Sequence, residues 1–118
     1  MKPSDVEIDS AAEKFLQKTM KIVEENMSDS TFTVDRFAEE ACMSPAQLYR
    51  KLTALTPYTP NDFIRHIRLQ RAASLIDMKI GNIADVAYRV GFNNLSYFTK
   101  CFKEKYALTP TDFAKREV

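Results

Sequence analysis

The chain has 118 residues, of which 45% are hydrophobic and 28% are charged, and this composition is typical of one folded domain rather than of a disordered segment. Two glycines leave no glycine-rich phosphate loop, and one histidine with two cysteines cannot supply a four-ligand zinc site. We therefore expect no metal and no cofactor. No apolar run is long enough to span a bilayer and the N-terminus has no apolar signal segment, so we expect a cytoplasmic protein without membrane contact.

The net charge of +1 conceals an uneven distribution of charged residues. Residues 1–40 contain five basic and ten acidic side chains, whereas residues 41–118 contain twelve basic and six acidic ones. A basic portion within a neutral protein indicates a polyanionic partner such as nucleic acid. A solvated helix face with excess lysine and arginine gives the same pattern, so charge alone leaves both interpretations open.

The first predicted element is a helix over 9–27. Its apolar residues recur at steps of three and four and form one stripe, which is typical of an amphipathic helix. The charged side chains between them fall off that stripe. The stripe consists of Ile8, Ala12, Phe15, Leu16, Thr19, Ile22, Val23 and Met27.

Five further helix starts are indicated by capping residues, strongly at Ser44, Thr59 and Thr109 and more weakly at Asn82 and Thr33. A polar cap accepts hydrogen bonds from the free backbone N–H groups of a helix start, and proline, which follows the three strong caps, fits the first helical position. No strand signal is present, so the fold class is all-α with about seven helices. The predicted helices after the first are 34–41, 45–55, 60–79, 83–90, 94–106 and 110–116.

The second half of the chain repeats the first. Leu48 and Leu52 align with Phe98 and Phe102 at an offset of 50, and the Thr-Pro pair at 59 recurs at 109. Each copy contains two helices joined by about three residues, and such a short join makes the helices cross steeply as in a helix-turn-helix. A duplicated helical bundle without a ligand is the simplest alternative. The predicted parts are an N-terminal segment and first helix (1–30), a first helix-turn-helix (31–59), a linker helix (60–80) and a second helix-turn-helix with a C-terminal helix (81–118).

Four segments resemble the AraC/XylS family of bacterial transcription regulators: 37–45, 63–72, 83–92 and 96–103. The resemblance is closer to regulators whose DNA-binding domain ends a hybrid two-component sensor, as segments 32–38, 47–52 and 61–65 indicate. It implies one domain that binds double-stranded DNA in a sequence-specific way and regulates transcription. It also implies RNA polymerase and the upstream sensor and receiver parts of a larger protein as partners. The chain departs from the family at Cys42, Pro57 and Ala107, where glycine is usual, and this places the local turn geometry in question.

The length of the linker helix suits a two-groove contact with DNA. A helix over 60–79 is about 30 Å long, close to the 34 Å or so of one B-DNA turn. Helices 45–55 and 94–106 are therefore predicted to be recognition helices that enter successive major grooves. Their inner stripes are predicted to be Leu48, Leu52 and Leu55 in the first helix and Phe98, Cys101, Phe102 and Tyr106 in the second.

The outer faces of these two helices provide the predicted base contacts. Arg50 can bond guanine O6 and N7, and Lys100 is its counterpart in the second copy. Leu95 suits a thymine methyl group or a helix–helix contact, and Tyr49 suits DNA or packing on its own helix. The predicted base-contacting residues are Ala46, Tyr49, Arg50, Leu95, Ser96, Thr99 and Lys100.

A second set of residues is predicted to contact phosphates and so to fix register rather than to read sequence. Asn94 caps its helix in the alternative interpretation, and Lys51 is either solvated or near phosphate. Arg68 and Arg71 are predicted to brace the two halves through salt bridges. The predicted phosphate-contacting residues are Ser44, Gln47, Arg65, Asn94, Lys103, Thr111 and Lys115.

Three functional hypotheses remain, in the order of a DNA-binding output domain, a helical adaptor that binds protein through the same faces, and an enzyme. The enzyme ranks last because His66 stands alone and no base is placed for a serine, threonine or cysteine nucleophile. Cys42 and Cys101 are interpreted as small buried hydrophobic residues, and His66 as a surface residue of the linker helix. An adaptor would need apolar outer faces, whereas this sequence places Arg50, Lys100 and Lys103 there.

Overall fold

The computed structural model describes the backbone of residues 3–116 and the side chains of residues 10–116, so the predicted stripe residue Ile8 lies outside the described side chains. Within that range the chain forms helices and no strands, which confirms the all-α prediction. None of the helices in the range is both long and apolar enough to cross a membrane. The helices are α1 (Pro3–Glu25), α2 (Val34–Glu40), α3 (Pro45–Leu55), α4 (Pro60–Asp77), α5 (Ile83–Arg89), α6 (Leu95–Tyr106) and α7 (Pro110–Lys115).

The helix bounds differ from the prediction mainly at α1. This helix begins at Pro3 rather than at residue 9, because a proline suits the first helical turn although the apolar stripe begins later. The linker helix α4 ends at Asp77, and the following left-handed residue Lys79 closes its last turn. In α6 the predicted first residue, Asn94, is the N-cap, and the helix itself starts one residue later.

Each predicted helix start forms the expected hydrogen bonds. The Ser44 hydroxyl accepts from the backbone N–H of Gln47 at 3.2 Å, and the Gln47 side chain accepts from the backbone N–H of Ser44 at 3.0 Å. Asn82 caps α5 in the same reciprocal way. The hydroxyls of Thr33, Thr59 and Thr109 each accept from the backbone N–H three residues further on. These local bonds fix where the short helices start.

The chain divides into two compact units, and the first contains the residues up to Asn26 together with Phe32–Ile64. Its core centres on Phe37, which is fully buried and whose ring lies 6.0 Å from those of Phe32 and Phe63. Leu48 and Leu52 of α3 are fully buried, as predicted. The prediction for Leu55 is wrong: it is 40% exposed, because it is the last residue of α3 and the backbone becomes extended at Thr56.

The second unit contains Met27–Thr31 and the residues from Arg65 onward. A continuous series of aromatic contacts crosses its core from the turn before α6 to α7, with ring centroids 4.7–5.7 Å apart. Cys101 is buried as predicted, and Tyr106 is half-buried. Arg116 fixes the end of α7, because it forms a 2.9 Å ion pair with Asp77 of α4 and lies over the Phe113 ring. The rings of this series are Phe92, Phe98, Phe102, Tyr106 and Phe113.

The turns between the helices of each helix-turn-helix have the same geometry. Cys42 and Gly91 both adopt a left-handed conformation, with φ of 59° and 95°. In each case the next residue donates a backbone hydrogen bond to the carbonyl five residues earlier, at 2.9 Å, which is the Schellman arrangement. Ala107 is also left-handed, with φ of 64°, whereas Pro57 is not among the left-handed residues of the described range. Two of the three departures from glycine therefore fall on left-handed turns.

Cys42 is exposed, so the prediction that it is buried is wrong. A helix C-cap of this type uses backbone groups to close the turn, and the side chain of its left-handed residue is not needed in the core. Gly91 occupies the same place in the second unit, but there a Cβ atom would collide with the backbone oxygen of Met27 and would lie 2.8 Å from the Arg68 guanidinium carbon. The two turns therefore have the same backbone conformation, but the turn at Cys42 is exposed whereas the turn at Gly91 is closely packed.

We expect Gly91→Ala to lower the free energy of unfolding by about 3 kcal/mol or more, because it adds a left-handed penalty and a collision with backbone. Urea unfolding followed by circular dichroism measures the change. Gly81→Ala serves as the comparison, since Gly81 is also left-handed but a Cβ there meets only the Asp85 side chain, at 3.1 Å. Equal losses in the two variants would contradict the collision at Gly91.

We expect Cys42→Gly to raise the free energy of unfolding by about 1 kcal/mol, because glycine adopts the left-handed conformation without a Cβ penalty. The same urea titration measures it. Cys42→Ala retains a Cβ and should leave the stability near that of the parent chain. A loss of stability in the glycine variant would mean that the Cys42 side chain makes a stabilising contact.

Candidate nucleic-acid interface

Burial of one side of α3 exposes the opposite side. Because Leu48 and Leu52 lie in the core, residues 46, 49, 50 and 53 share the outer face at helical spacing. Tyr49 is 52% exposed, and Ala46 and Arg50 are exposed. The Thr53 hydroxyl donates to the backbone oxygen of Tyr49 at 2.8 Å, so it is bonded to its own helix. The predicted base-contacting residues of α3 therefore form one accessible surface.

An open depression of about 380 Å³ lies beside this face and is lined by Cys42, Met43, Gln47, Arg50 and Lys51. It brings together a residue predicted to contact phosphate and one predicted to contact a base. The side-chain oxygen of Gln47 and the Ser44 hydroxyl both accept hydrogen bonds in the cap of α3. The cap therefore holds these two predicted phosphate-contacting side chains in place. The ammonium of Lys51 lies 4.7 Å from the centre of the Phe15 ring.

In the second unit, α6 presents its outer face for the same reason. Phe98, Cys101 and Phe102 are buried, and residues 95, 96, 99, 100 and 103 lie on the other side. Leu95 is 40% exposed, Thr99 is half-buried, and the remaining three are exposed. Asn94 accepts from the backbone N–H of Tyr97 at 2.9 Å and so acts as the cap that was one of its two predicted roles.

Tyr97, which is not among the predicted contact residues, joins the candidate surface of the second unit. Its hydroxyl accepts from Arg65 Nη1 at 3.2 Å, and its ring lies 6.0 Å from that of Phe92. Arg65, a predicted phosphate contact, is thereby fixed beside the start of α6. The signal was available in the internal repeat, because the offset of 50 aligns Tyr97 with Gln47, which was among the predicted phosphate contacts.

The other predicted phosphate-contacting and bracing residues of α4 and α7 have different surroundings. Thr111 and Lys115 are exposed on α7, and Arg71 is exposed on α4. Arg68 does brace the structure, but it does so within the second unit and through a hydrogen bond to a backbone carbonyl, from Nη2 to the Asp29 oxygen at 2.8 Å. Burial lowers the pKa of Arg68, and the nearby Asp29 partly opposes this.

Four exposed cations of the candidate surfaces form no ion pair with any residue of the described range: Arg50, Lys100, Lys103 and Lys115. Such side chains are available for phosphates or base edges, because no carboxylate competes for them. Within the same range, no three histidine, cysteine or acidic side chains are grouped as metal ligands would be. The chemistry that these faces offer is therefore that of a polyanion contact.

His66 lies on α4 but is not an isolated surface residue. Its Nδ1 atom is 2.6 Å from the ammonium of Lys105 on α6, so the neutral imidazole accepts a hydrogen bond from that cation. Burial and the positive charge of Lys105 lower the pKa of His66, and burial also lowers the pKa of Lys105. The pair stabilises the contact between α4 and α6 within the second unit.

Comparison with known proteins supports the same interpretation. Residues 37–116 match the family model described as a helix-turn-helix domain. A DNA-binding transcriptional dual regulator from Escherichia coli K-12 shares 30% identity with a TM-score of 0.76, over 84% of this chain and 87% of the other. The chain belongs to the AraC-type helix-turn-helix family. The residues that match this family of DNA-binding domains extend from α2 to the end of α7. The match therefore includes both helix-turn-helix elements.

Two other relatives of this AraC-type domain belong to signalling proteins. "Histidine kinase P4" from Formosa agariphila is 43% identical over 114 residues, which are 97% of this chain but 8% of the relative. The C-terminal domain of the two-component response regulator yesN from Fusobacterium nucleatum shares 26% identity and a TM-score of 0.73, over 81% of this chain and 93% of that one. The chain spans 8–33% of the length of the first curated relatives that it matches.

We expect the stability of the AraC-type domain to fall as the pH decreases from about 6.5, the ordinary pKa of an unfolded histidine. Because the folded pKa of His66 is lowered, the unfolded chain binds the proton first, and acid then favours unfolding. Urea midpoints between about pH 7.5 and 5.5 measure this dependence, above the range in which carboxylates titrate. His66→Gln keeps an acceptor for Lys105 without a titrating group and should flatten the dependence. An unchanged slope in that variant would contradict the assignment to His66.

Proposed function

We propose that this domain reads double-stranded DNA with α3 and α6, which enter successive major grooves. The observation that carries the proposal is the duplicated outer face: Arg50 and Lys100 lie 50 residues apart at matching positions, and both are exposed without an ion pair in the described range. The second helix of a helix-turn-helix is the one that contacts base edges. Membership of the AraC-type family supports the assignment of both helices to this role.

Within this proposal, direct readout belongs to the outer faces of α3 and α6. Arg50 and Lys100 donate to guanine, the Leu95 side chain and the Ala46 methyl contact thymine methyl groups, and the hydroxyls of the set bond to base edges. This set is Ala46, Tyr49, Arg50, Leu95, Ser96, Thr99 and Lys100. The phosphate contacts that fix register are Ser44, Gln47, Arg65, Asn94, Lys103, Thr111 and Lys115, joined by Tyr97 through its bond to Arg65.

The length of α4 supports a two-groove contact by a single chain. With 18 residues it extends for about 27 Å, a distance comparable to one turn of B-DNA. Because one chain carries both recognition helices, a second copy of the chain is not needed for a contact with two grooves. The proposed footprint is therefore two short base-specific segments, one for each unit, within a single site.

We further propose that the chain is the DNA-binding output part of a longer two-component protein. The histidine kinase of which the matched segment is 8%, and the similarity to the C-terminal domain of a response regulator, support this placement. Sensor and receiver parts of the same protein and RNA polymerase are then its expected partners, and the cytoplasm its expected location. We assign no catalytic role to the domain.

Selection from random double-stranded DNA with the purified domain tests the proposed function. The recovered sites should share base preferences in two segments, and affinity should fall steeply with salt, because each phosphate contact releases counterions. Binding that weakens little with salt and shows no base preference would favour the helical adaptor, for which the exposed Tyr49 and Leu95 would provide an apolar surface.

We expect Arg50→Ala and Lys100→Ala each to weaken specific binding by about 1–3 kcal/mol and to relax base preference in only one of the two segments. Fluorescence anisotropy on the selected site and on single-base variants of it measures both effects. Lys14→Ala and Arg89→Ala remove the same charge from exposed positions outside the proposed interface and should change affinity much less. Unchanged base preference in both test variants would refute the assignment of these residues.

A further inference from the structure

Helix α1 lies outside the residues that match the family model, yet it forms specific contacts with the first helix-turn-helix. Apolar residues of α1 contribute to the core of the first unit, and Val23 is fully buried. In addition, α1 and the residue directly after it make three polar or cation–ring contacts, at Phe15, Lys18 and Asn26, with α3, the helix-turn-helix turn and α2. The contacts therefore involve all three parts of the first helix-turn-helix, which are α2, the turn and α3.

The first contact fixes the turn before the recognition helix. The ammonium of Lys18 donates to the backbone oxygen of Ala41 at 3.0 Å. Ala41 is the C-cap of α2, where the helix ends with partially negative carbonyl oxygens, and a cation is stabilising there. The next residue is the left-handed Cys42, and Ser44 already caps α3. Lys18 therefore holds the short segment from which α3 starts.

The second contact is made with the recognition helix itself. The Lys51 ammonium lies 4.7 Å from the centre of the Phe15 ring, and Phe15 is 6% exposed. An ammonium over an aromatic face is attracted by the ring, more strongly where solvent is excluded. Lys51 follows Arg50 directly in the sequence. The ring of Phe15 thus connects α1 to α3 at the residue next to the proposed guanine contact.

The third contact holds the end of α2. Asn26 donates to the Glu40 carboxylate at 3.1 Å and accepts from Arg36 at 3.2 Å, and both partners lie on α2. The end of α1 is thereby joined to the helix that precedes the turn. Together the three contacts attach α2, the turn and α3 to a single supporting helix.

We propose that Lys18 and Phe15 are positioning residues for DNA binding, and that the docking of α1 sets the orientation in which α3 meets DNA. This rests on the proposed function. Neither residue touches DNA in this account: each acts through α3 or through the turn before it.

Point variants test this better than deletion of α1, because deletion would remove buried residues such as Val23 and leave the core of the first unit open to solvent. Lys18→Met removes the donor and keeps an unbranched apolar side chain. Lys18→Arg keeps a cationic donor at the same place. Lys14→Met is the matched control, since it removes one exposed lysine of the same helix that forms no hydrogen bond, ion pair or ring contact with a residue of the described range.

The expected result is a loss of about fivefold or more in affinity for Lys18→Met, the order of the net contribution of one ordinary intramolecular hydrogen bond. Lys14→Met should bind like the parent domain, and Lys18→Arg should recover most of the loss. Affinity is measured by anisotropy on the selected DNA at a temperature at which thermal unfolding shows every variant to be folded. Footprinting should show weaker protection only in the segment read by α3. Phe15→Leu, which fills most of the same volume without a ring, should change affinity and footprint in the same direction.

Equal affinities for Lys18→Met and Lys14→Met, with the folded state of both verified, would overturn the proposal. So would a variant that lowers the melting temperature but leaves affinity and footprint unchanged, because α1 would then serve only to cover the core. Weaker protection spread evenly over both segments would also contradict a role confined to the first unit. If the parent domain itself shows no base preference, the proposed function fails and the role of α1 fails with it. That result is distinct from the three outcomes above, which contradict only the role of α1.

Discussion

The surface that this domain offers to a partner depends on the burial of two side chains on each recognition helix. Leu48 and Leu52 in α3, and Phe98 and Phe102 in α6, have no accessible surface. A helix that buries residues four apart on one side must expose the residues between them on the other. Tyr49, Arg50 and Lys100 are therefore exposed as a consequence of core packing. Chemistry at these faces can vary without cost to the core.

The turns of the two helix-turn-helix elements have the same conformation but are held by different contacts. Both have a left-handed residue between the helices, a common way to close the last turn of a helix before the chain changes direction. In the second unit the backbone of Met27 and the Arg68 side chain come close to the turn, so only glycine fits there. In the first unit the corresponding Cys42 is exposed, and the α1 contact through Lys18 holds the turn instead. The turn at Cys42 is thus held by the Lys18 ammonium on the Ala41 carbonyl oxygen. The turn at Gly91 is instead packed closely against the backbone of Met27.

Polar contacts between helices account for several residues whose function composition could not assign. His66 accepts from Lys105, Arg65 donates to Tyr97, and Arg68 donates to the Asp29 backbone, all within the second unit. Each pair joins residues more than 30 positions apart. Two of these pairs fix cations of α4, and the third fixes a cation of α6 against α4. The exposed cations of α3, α6 and α7 stay without ion pairs in the described range.

The sequence by itself determined the number of helices, their bounds to within two residues except at the start of α1, the caps, the internal repeat and the outer faces of α3 and α6. Helix bounds, caps and outer faces depend on interactions between residues within about four positions of each other, and the repeat is a similarity within the sequence itself. Only the tertiary structure decided that Leu55 and Cys42 are exposed, that Tyr97 joins Arg65, and that α1 supports the first helix-turn-helix. The reason is physical: burial and long-range hydrogen bonds depend on which helices pack together, and periodicity identifies an apolar face without specifying its neighbour.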